Sequence, residues 1–145
     1  MKTNPPKAAF SFESFRFVSF QFNERADEGF EGLNILIDPS GHYNSTDKQF
    51  TLTLEFKASL ITDEDKPPSS DNAVIQLKFQ TLFTIEEEDG RIPDYFYPNS
   101  IGIAFPYIRS FLSTLTLQAN NQLVMLPLMN LSHLAKPLQE NTIFG

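Results

Sequence analysis

Apolar and polar residues alternate most regularly from Gln49 to Ile61. Phe50, Leu52, Leu54, Phe56, Ala58 and Leu60 fall on one side, and Thr51, Thr53, Glu55, Lys57 and Ser59 on the other. A period of two is the mark of a strand with one buried and one wet face, as in an antiparallel sheet covered on one side. The same period runs from Ala73 to Ile85, with Ile75, Leu77, Phe79, Thr81, Phe83 and Ile85 inward. The turn-rich acidic stretch Thr62 to Asn72 lies between them, which predicts a hairpin. From Phe10 to Phe22 the alternation comes in three pairs: Phe10 and Phe12, Phe15 and Phe17, Phe20 and Phe22. It slips one place at Glu13-Ser14 and again at Val18-Ser19. Each slip turns the following side chains to the other face unless a bulge absorbs it. One long bulged strand is expected, with its six phenylalanines either all in one core or partly presented to a partner. Leu33 to Ile37 reads as a short strand closed by the turn signal Asp38-Pro39-Ser40-Gly41.

The pattern changes after the acidic cluster Glu86 to Asp89, which reads as a solvated strand end. From Tyr97 to Leu138 the only formal charges are Arg109 and Lys136, and every carboxylate except Glu140 lies before Tyr97. Ile108, Phe111, Leu112, Leu115 and Ala119 follow helical spacing on one face. Either Asn99 caps this helix or Pro106 sits in its first turn. Ser110, Ser113, Thr114 and Leu117 form a second face, uncharged and mostly small, which would let another helix approach closely. A helix on a small monomer normally shows water a charged face, so these four residues are the expected face for contact between subunits. Asn120-Asn121 should end the helix, Leu123 to Met129 reads as an extended apolar segment, and a second helix is expected from Asn130 until Pro137 stops it. Four strands followed by two helices predict an α+β fold: a four-stranded antiparallel sheet with a long helix and a shorter second helix packed on one face. Residues 1–145 then form a single domain, with a loose tail over 1–9, the sheet over 10–88 and the helical part over 98–139.

Composition narrows the chemistry. The chain has 145 residues, 41% of them hydrophobic, with fifteen Phe and no Trp, and a net charge of −7. The acidic balance argues against nucleic acid and anionic membrane surfaces as partners. There is no cysteine and therefore no thiolate or cysteine-based zinc site. The two histidines, His42 and His133, stand in no metal-ligand spacing, and neither a nucleophile elbow nor a glycine-rich phosphate loop is present. No enzymatic activity, cofactor or metal is expected. The first residues lack a signal-peptide core and no run reaches membrane-span length, so the expectation is a cytoplasmic protein without membrane insertion.

Phe105-Pro106-Tyr107-Ile108-Arg109, followed by Leu112 and Leu115 and then by Leu126-Pro127-Leu128-Met129-Asn130-Leu131 and Leu134, resembles the C-terminal half of the SecB family of export chaperones. That family's pattern is close to PN-x-x-FPYAR-x-x-I-x-x-L, then LPP-x-NF-x-x-L. Here Pro98-Asn99 stands further from Phe105, and Leu128 and Leu131 replace a Pro and a Phe. The resemblance extends to the order of strands and helices along nearly the whole chain. It implies an ATP-independent holdase that binds non-native or precursor polypeptides, assembled as a dimer of dimers with the long helices between dimers. It places the client groove at Phe15, Phe17, Leu33 and Ile35 of the strands and Leu123, Met125 and Leu126 of the connecting segment. It also implies SecA as a partner in export. However, Ser19, Asn23 and Gln76 stand where the family carries acidic residues, which removes charge that docking on a basic surface would use. A specialist chaperone for one dedicated client, as in toxin–antitoxin modules, and a carrier of apolar ligands are the alternatives.

Overall fold

A computed structural model describes residues 10–23, 33–61, 66–118, 126 and 129–145. Five strands lie in one sheet: β1 (Phe10–Phe22), β2 (Leu33–Asn44), β3 (Gln49–Leu60), β4 (Ala73–Ile85) and β5 (Thr142–Phe144). Their spatial order is β1-β4-β3-β2-β5. The long helix α1 (Phe96–Gln118) and the short helix α2 (Ala135–Glu140), entered through a 3-10 turn at Ser132–Leu134, complete the fold. Fold class and layering are those expected from the sequence. The difference is a fifth strand, which pairs parallel to β2 through Gly41–Thr142, His42–Ile143 and Tyr43–Phe144. Three residues are too few for a periodicity to announce them.

β3 and β4 follow the alternation residue by residue. Phe50, Leu52, Leu54, Phe56 and Ala58 are buried, as are Ile75, Leu77, Phe79, Thr81, Phe83 and Ile85. β2 is longer than predicted. It continues through Asp38-Pro39-Ser40-Gly41 in unbroken register with β3, from Leu33–Leu60 to Asn44–Gln49. Burying Tyr43 behind β3 outweighs the local turn preference. Pro39 is tolerated because β5 covers only Gly41 to Tyr43, so no ladder bond is needed there on the outer edge. The actual turn lies four residues later, where the Asn44 side-chain oxygen accepts the N–H groups of Thr46 and Asp47 at 2.9 and 3.3 Å. Lys48 closes it in the left-handed region, at φ 58°.

α1 begins at Phe96, about one turn ahead of Asn99 and nearly three turns ahead of Pro106, and so carries Pro106 in its interior. Its buried face is Phe96, Tyr97, Ser100, Ile101, Ala104, Phe105, Ile108, Leu112 and Thr116. Pro106 is exposed, so the N–H it lacks and the ring it adds fall on the solvent side. Pro137 also differs from expectation. It sits in the first turn of α2, where its missing N–H costs nothing, and the helix continues to Glu140.

Candidate functional site

The two slips in the β1 alternation are two bulges. Register shifts fall between Phe12 and Ser14 and between Phe17 and Ser19. Each inserts one residue and so returns the next phenylalanine to the same face. As a result all six phenylalanines stand opposite inward residues of β4: Phe10–Ile85, Phe12–Phe83, Phe15–Thr81, Phe17–Phe79, Phe20–Leu77 and Phe22–Ile75. The bulges thus keep the six on one face instead of turning some of them to the other. The six share the helix-covered face, yet β1 is the sheet edge and the helix covers only some of them. Phe10 packs on Phe83 and Phe96 with centroids at 5.8 and 5.1 Å. Phe15 and Phe20 keep 44% and 54% of their surface exposed, beside Val18 at 46%.

α1 meets this edge with two aromatic residues one turn apart. Tyr107 lies 4.3 Å from Phe15 and stacks on Phe12 at 5.5 Å. Phe111 stacks on Phe17 at 3.9 Å and meets Phe20 edge-on at 5.3 Å. Phe12, Phe15, Phe17, Phe20, Tyr107 and Phe111 therefore form one continuous aromatic wall, rooted in the core through Phe79 and open to solvent along β1. Rigid, half-exposed rings of this kind suit the apolar side chains of a polypeptide.

On the other flank of α1 an apolar cavity of about 240 Å³ lies against the segment leading to α2, lined by Pro98, Gly102, Phe105, Pro106, Met129 and Leu131. Arg109, the only charged residue of α1, stands at the same cavity, and its Nε donates to the Leu126 carbonyl at 3.2 Å. Between the two flanks runs an exposed stripe of Asn99, Ile103, Pro106, Ser110, Thr114 and Leu117, at helical spacing and without a formal charge. Leu117 is 64% exposed.

No protein-family model matches the chain. In sequence it is similar to an uncharacterised protein of Methanocaldococcus jannaschii, 28% identical over 141 residues that cover 94% of this chain and 88% of the relative. In structure it is similar to the SecB-like chaperone Rv1957 of Mycobacterium tuberculosis, in complex with a ChAD peptide from the Rv1956 HigA1 antitoxin. The TM-score is 0.64, with 15% identity over 83% of this chain and 88% of that one. The fold is SecB-like.

Within the SecB-like fold the expected groove residues divide. Phe15 and Phe17 belong to the aromatic wall. Leu33 and Ile35 are half-buried on the same face of the sheet but on β2, about 14 Å across the sheet with β4 and β3 between at the usual strand spacing, and further away along the strands, since Phe15 and Phe17 are level with Gly41 and Pro39 of β2. Leu126 is buried, at 5% exposure, and holds Arg109 through its carbonyl. Leu123 and Met125 lie outside the described residues. Of the expected contact face, Ser110, Thr114 and Leu117 are exposed and Ser113 is half-buried. Ser19 and Gln76 line a polar hollow on the outer face of the sheet together with Glu55, Lys57 and Lys78. Asn23 is tied to the end of β4, its N–H donating to the Val74 carbonyl at 2.8 Å.

Phe12, Phe20, Tyr107 and Phe111 are not among the expected groove residues. Tyr107 and Phe111 are four apart, the spacing that places them on one flank of α1. Which flank meets the edge of the sheet is not a local property. Among the described residues no group of three or more His, Asp or Glu is placed to hold a metal ion, and no helix is long and apolar enough to cross a membrane.

Proposed function

We propose that the protein is an ATP-independent holdase that binds non-native polypeptide, and that its binding surface includes the aromatic wall of β1 and α1. The observation that carries this reading is the half-exposure of Phe15 and Phe20 in a wall otherwise anchored in the core. Folding does not need these two rings fully buried, and leaving them in water is unfavourable unless something covers them. A surface built from rings rather than from hydrogen-bonding groups demands little sequence from its client, which suits unfolded chains. The excess of negative charge opposes self-association of the exposed wall. Rv1957, a chaperone of like fold, is seen with an antitoxin peptide. That likeness supports polypeptide as the ligand class and favours a dedicated client over general export. The loss of acidic residues at Ser19, Asn23 and Gln76 points the same way, because it weakens the case for docking on SecA.

Assembly is part of the reading. The uncharged stripe on α1 would be covered by the same stripe of a second copy, giving a homo-oligomer with paired helices.

The test is titration of a permanently unfolded polypeptide and of its folded counterpart, followed by anisotropy and light scattering. Selective binding of the unfolded form is expected. The Phe20→Ser variant should weaken it about tenfold, the effect of removing one buried large apolar side chain, with little change in melting temperature because Phe20 is half exposed. Equal binding by Phe20→Ser and the unsubstituted protein would remove the wall from the binding surface.

A further inference from the structure

The cavity beside Arg109 has a composition that the aromatic wall lacks. Its walls are apolar, from Pro98, Phe105, Met129 and Leu131. One side is Gly102, where an added Cβ would meet nothing within 4 Å. Glycine inside a helix is unfavourable, and here no neighbouring atom requires it. Its effect is to leave this side of the cavity open, Gly102 being exposed. Pro106 lies four residues on and has no N–H to give to the Gly102 carbonyl, so that carbonyl lacks its usual i+4 helical partner. Arg109 spends its Nε on the Leu126 carbonyl, and its other guanidinium N–H groups have no partner among the described residues.

We propose that this cavity seats one bulky apolar side chain of a bound polypeptide, with an adjacent Asp or Glu of that polypeptide paired to Arg109 and a backbone N–H of it donated to the Gly102 carbonyl. The proposal rests on the reading of the protein as a polypeptide binder and adds a sequence preference to it: apolar followed by acidic. Two features favour a peptide over a small apolar acid. The volume of about 240 Å³ falls below the roughly 300–1,000 Å³ of small-molecule pockets. The Gly102 carbonyl would accept an N–H, which a fatty acid does not have. Arg109, the cation in the lining, selects a carboxylate beside the apolar group in either class, by charge complementarity.

The experiment is anisotropy titration of three labelled extended peptides that are identical except for the residue after a single Leu: Asp, Asn or Lys. The unsubstituted protein should bind the Asp peptide about three- to fivefold tighter than the Lys peptide, as expected for one part-exposed ion pair. Gly102→Leu, which fills the cavity with a better helix former, should weaken all three by about tenfold. Arg109→Gln should bind the three alike. Circular dichroism melts of both variants guard against misfolding, and for Gly102→Leu the melting temperature should hold or rise. Peptide binding that ignores both substitutions would overturn this site while leaving the polypeptide-binding reading intact. Failure of the unsubstituted protein to bind any of the peptides or an unfolded chain would overturn both. Binding of octanoate, lost in Gly102→Leu and Arg109→Gln, without any peptide binding would overturn the proposal in favour of a small-acid site.

Discussion

Gly41 is one position where the fold depends on the absence of a side chain. It lies in β2 opposite Leu52 and beside Thr142 of β5. An added Cβ would run into the Phe50 ring and come within 2.9 Å of the Thr142 hydroxyl. Phe50 is fully buried and cannot swing away. Gly41→Ala should therefore destabilise the protein by about 1–3 kcal/mol, the usual range for overpacking a filled core, as read from denaturant midpoints. Tyr43, two residues on, gives a pH dependence. Its hydroxyl donates to the Ile85 carbonyl at 2.9 Å. Burial, then Glu87 and Glu86, raise its pKa above the ordinary 10.0. The folded chain thus holds this proton more tightly than the unfolded chain does. The stability it contributes is fully present below about pH 10 and is lost as pH rises from there through the raised folded value. Denaturant midpoints should be level on the alkaline side up to about pH 9 and fall beyond about pH 10. In Tyr43→Phe this fall should be smaller. Tyr97, whose pKa is also raised, by burial and by Asp94 against the opposing effect of Arg91, leaves a remainder.

At the scale of elements, α1 does three things with three flanks. One flank is core, one completes the aromatic wall, and the stripe between wall and cavity is uncharged. A single charge separates the contact reading of that stripe from a merely solvated face. Ser110→Glu, placed on its exposed centre, should halve the particle mass in multi-angle light scattering, because an unpaired carboxylate in a helix–helix contact costs several kcal/mol. An unchanged mass would move the contact to another surface. Part of each flank's role could be read locally: the residues carry helical spacing, and Phe111 and Ser110 differ visibly in kind. The identity of the neighbour could not, since it depends on where β1 lies.

At the scale of the molecule, most of the chain's negative charge sits before the helical part while the proposed binding surface is apolar. If clients are held by apolar burial, raising NaCl from about 0.05 to about 0.5 M should change the Kd for an unfolded chain by less than about threefold, because screening acts on exposed charges and not on buried apolar area. A steep weakening with salt would instead mean that acidic loops collect basic clients.

The alternations of β3 and β4, the two slips in β1, the α+β order and the helix with a single charge were all determined by local sequence. Side-chain period and charge are properties of neighbouring residues, and each strand here has one face to bury. The resemblance around Phe105 to Arg109 also led to the SecB-like fold that the structural comparison bears out. What only the tertiary structure decided was every relation across the sheet. Phe15 and Leu33 lie on β1 and β2, with β4 and β3 between them in the order β1-β4-β3-β2-β5, so an apolar list could not tell one surface from two. The Asp38 to Gly41 turn gave way to strand because pairing with β3 along the whole of β2 outweighs a four-residue preference. β5 exists because Gly41 to Tyr43 offered an unpaired edge, a fact held by residues a hundred positions away.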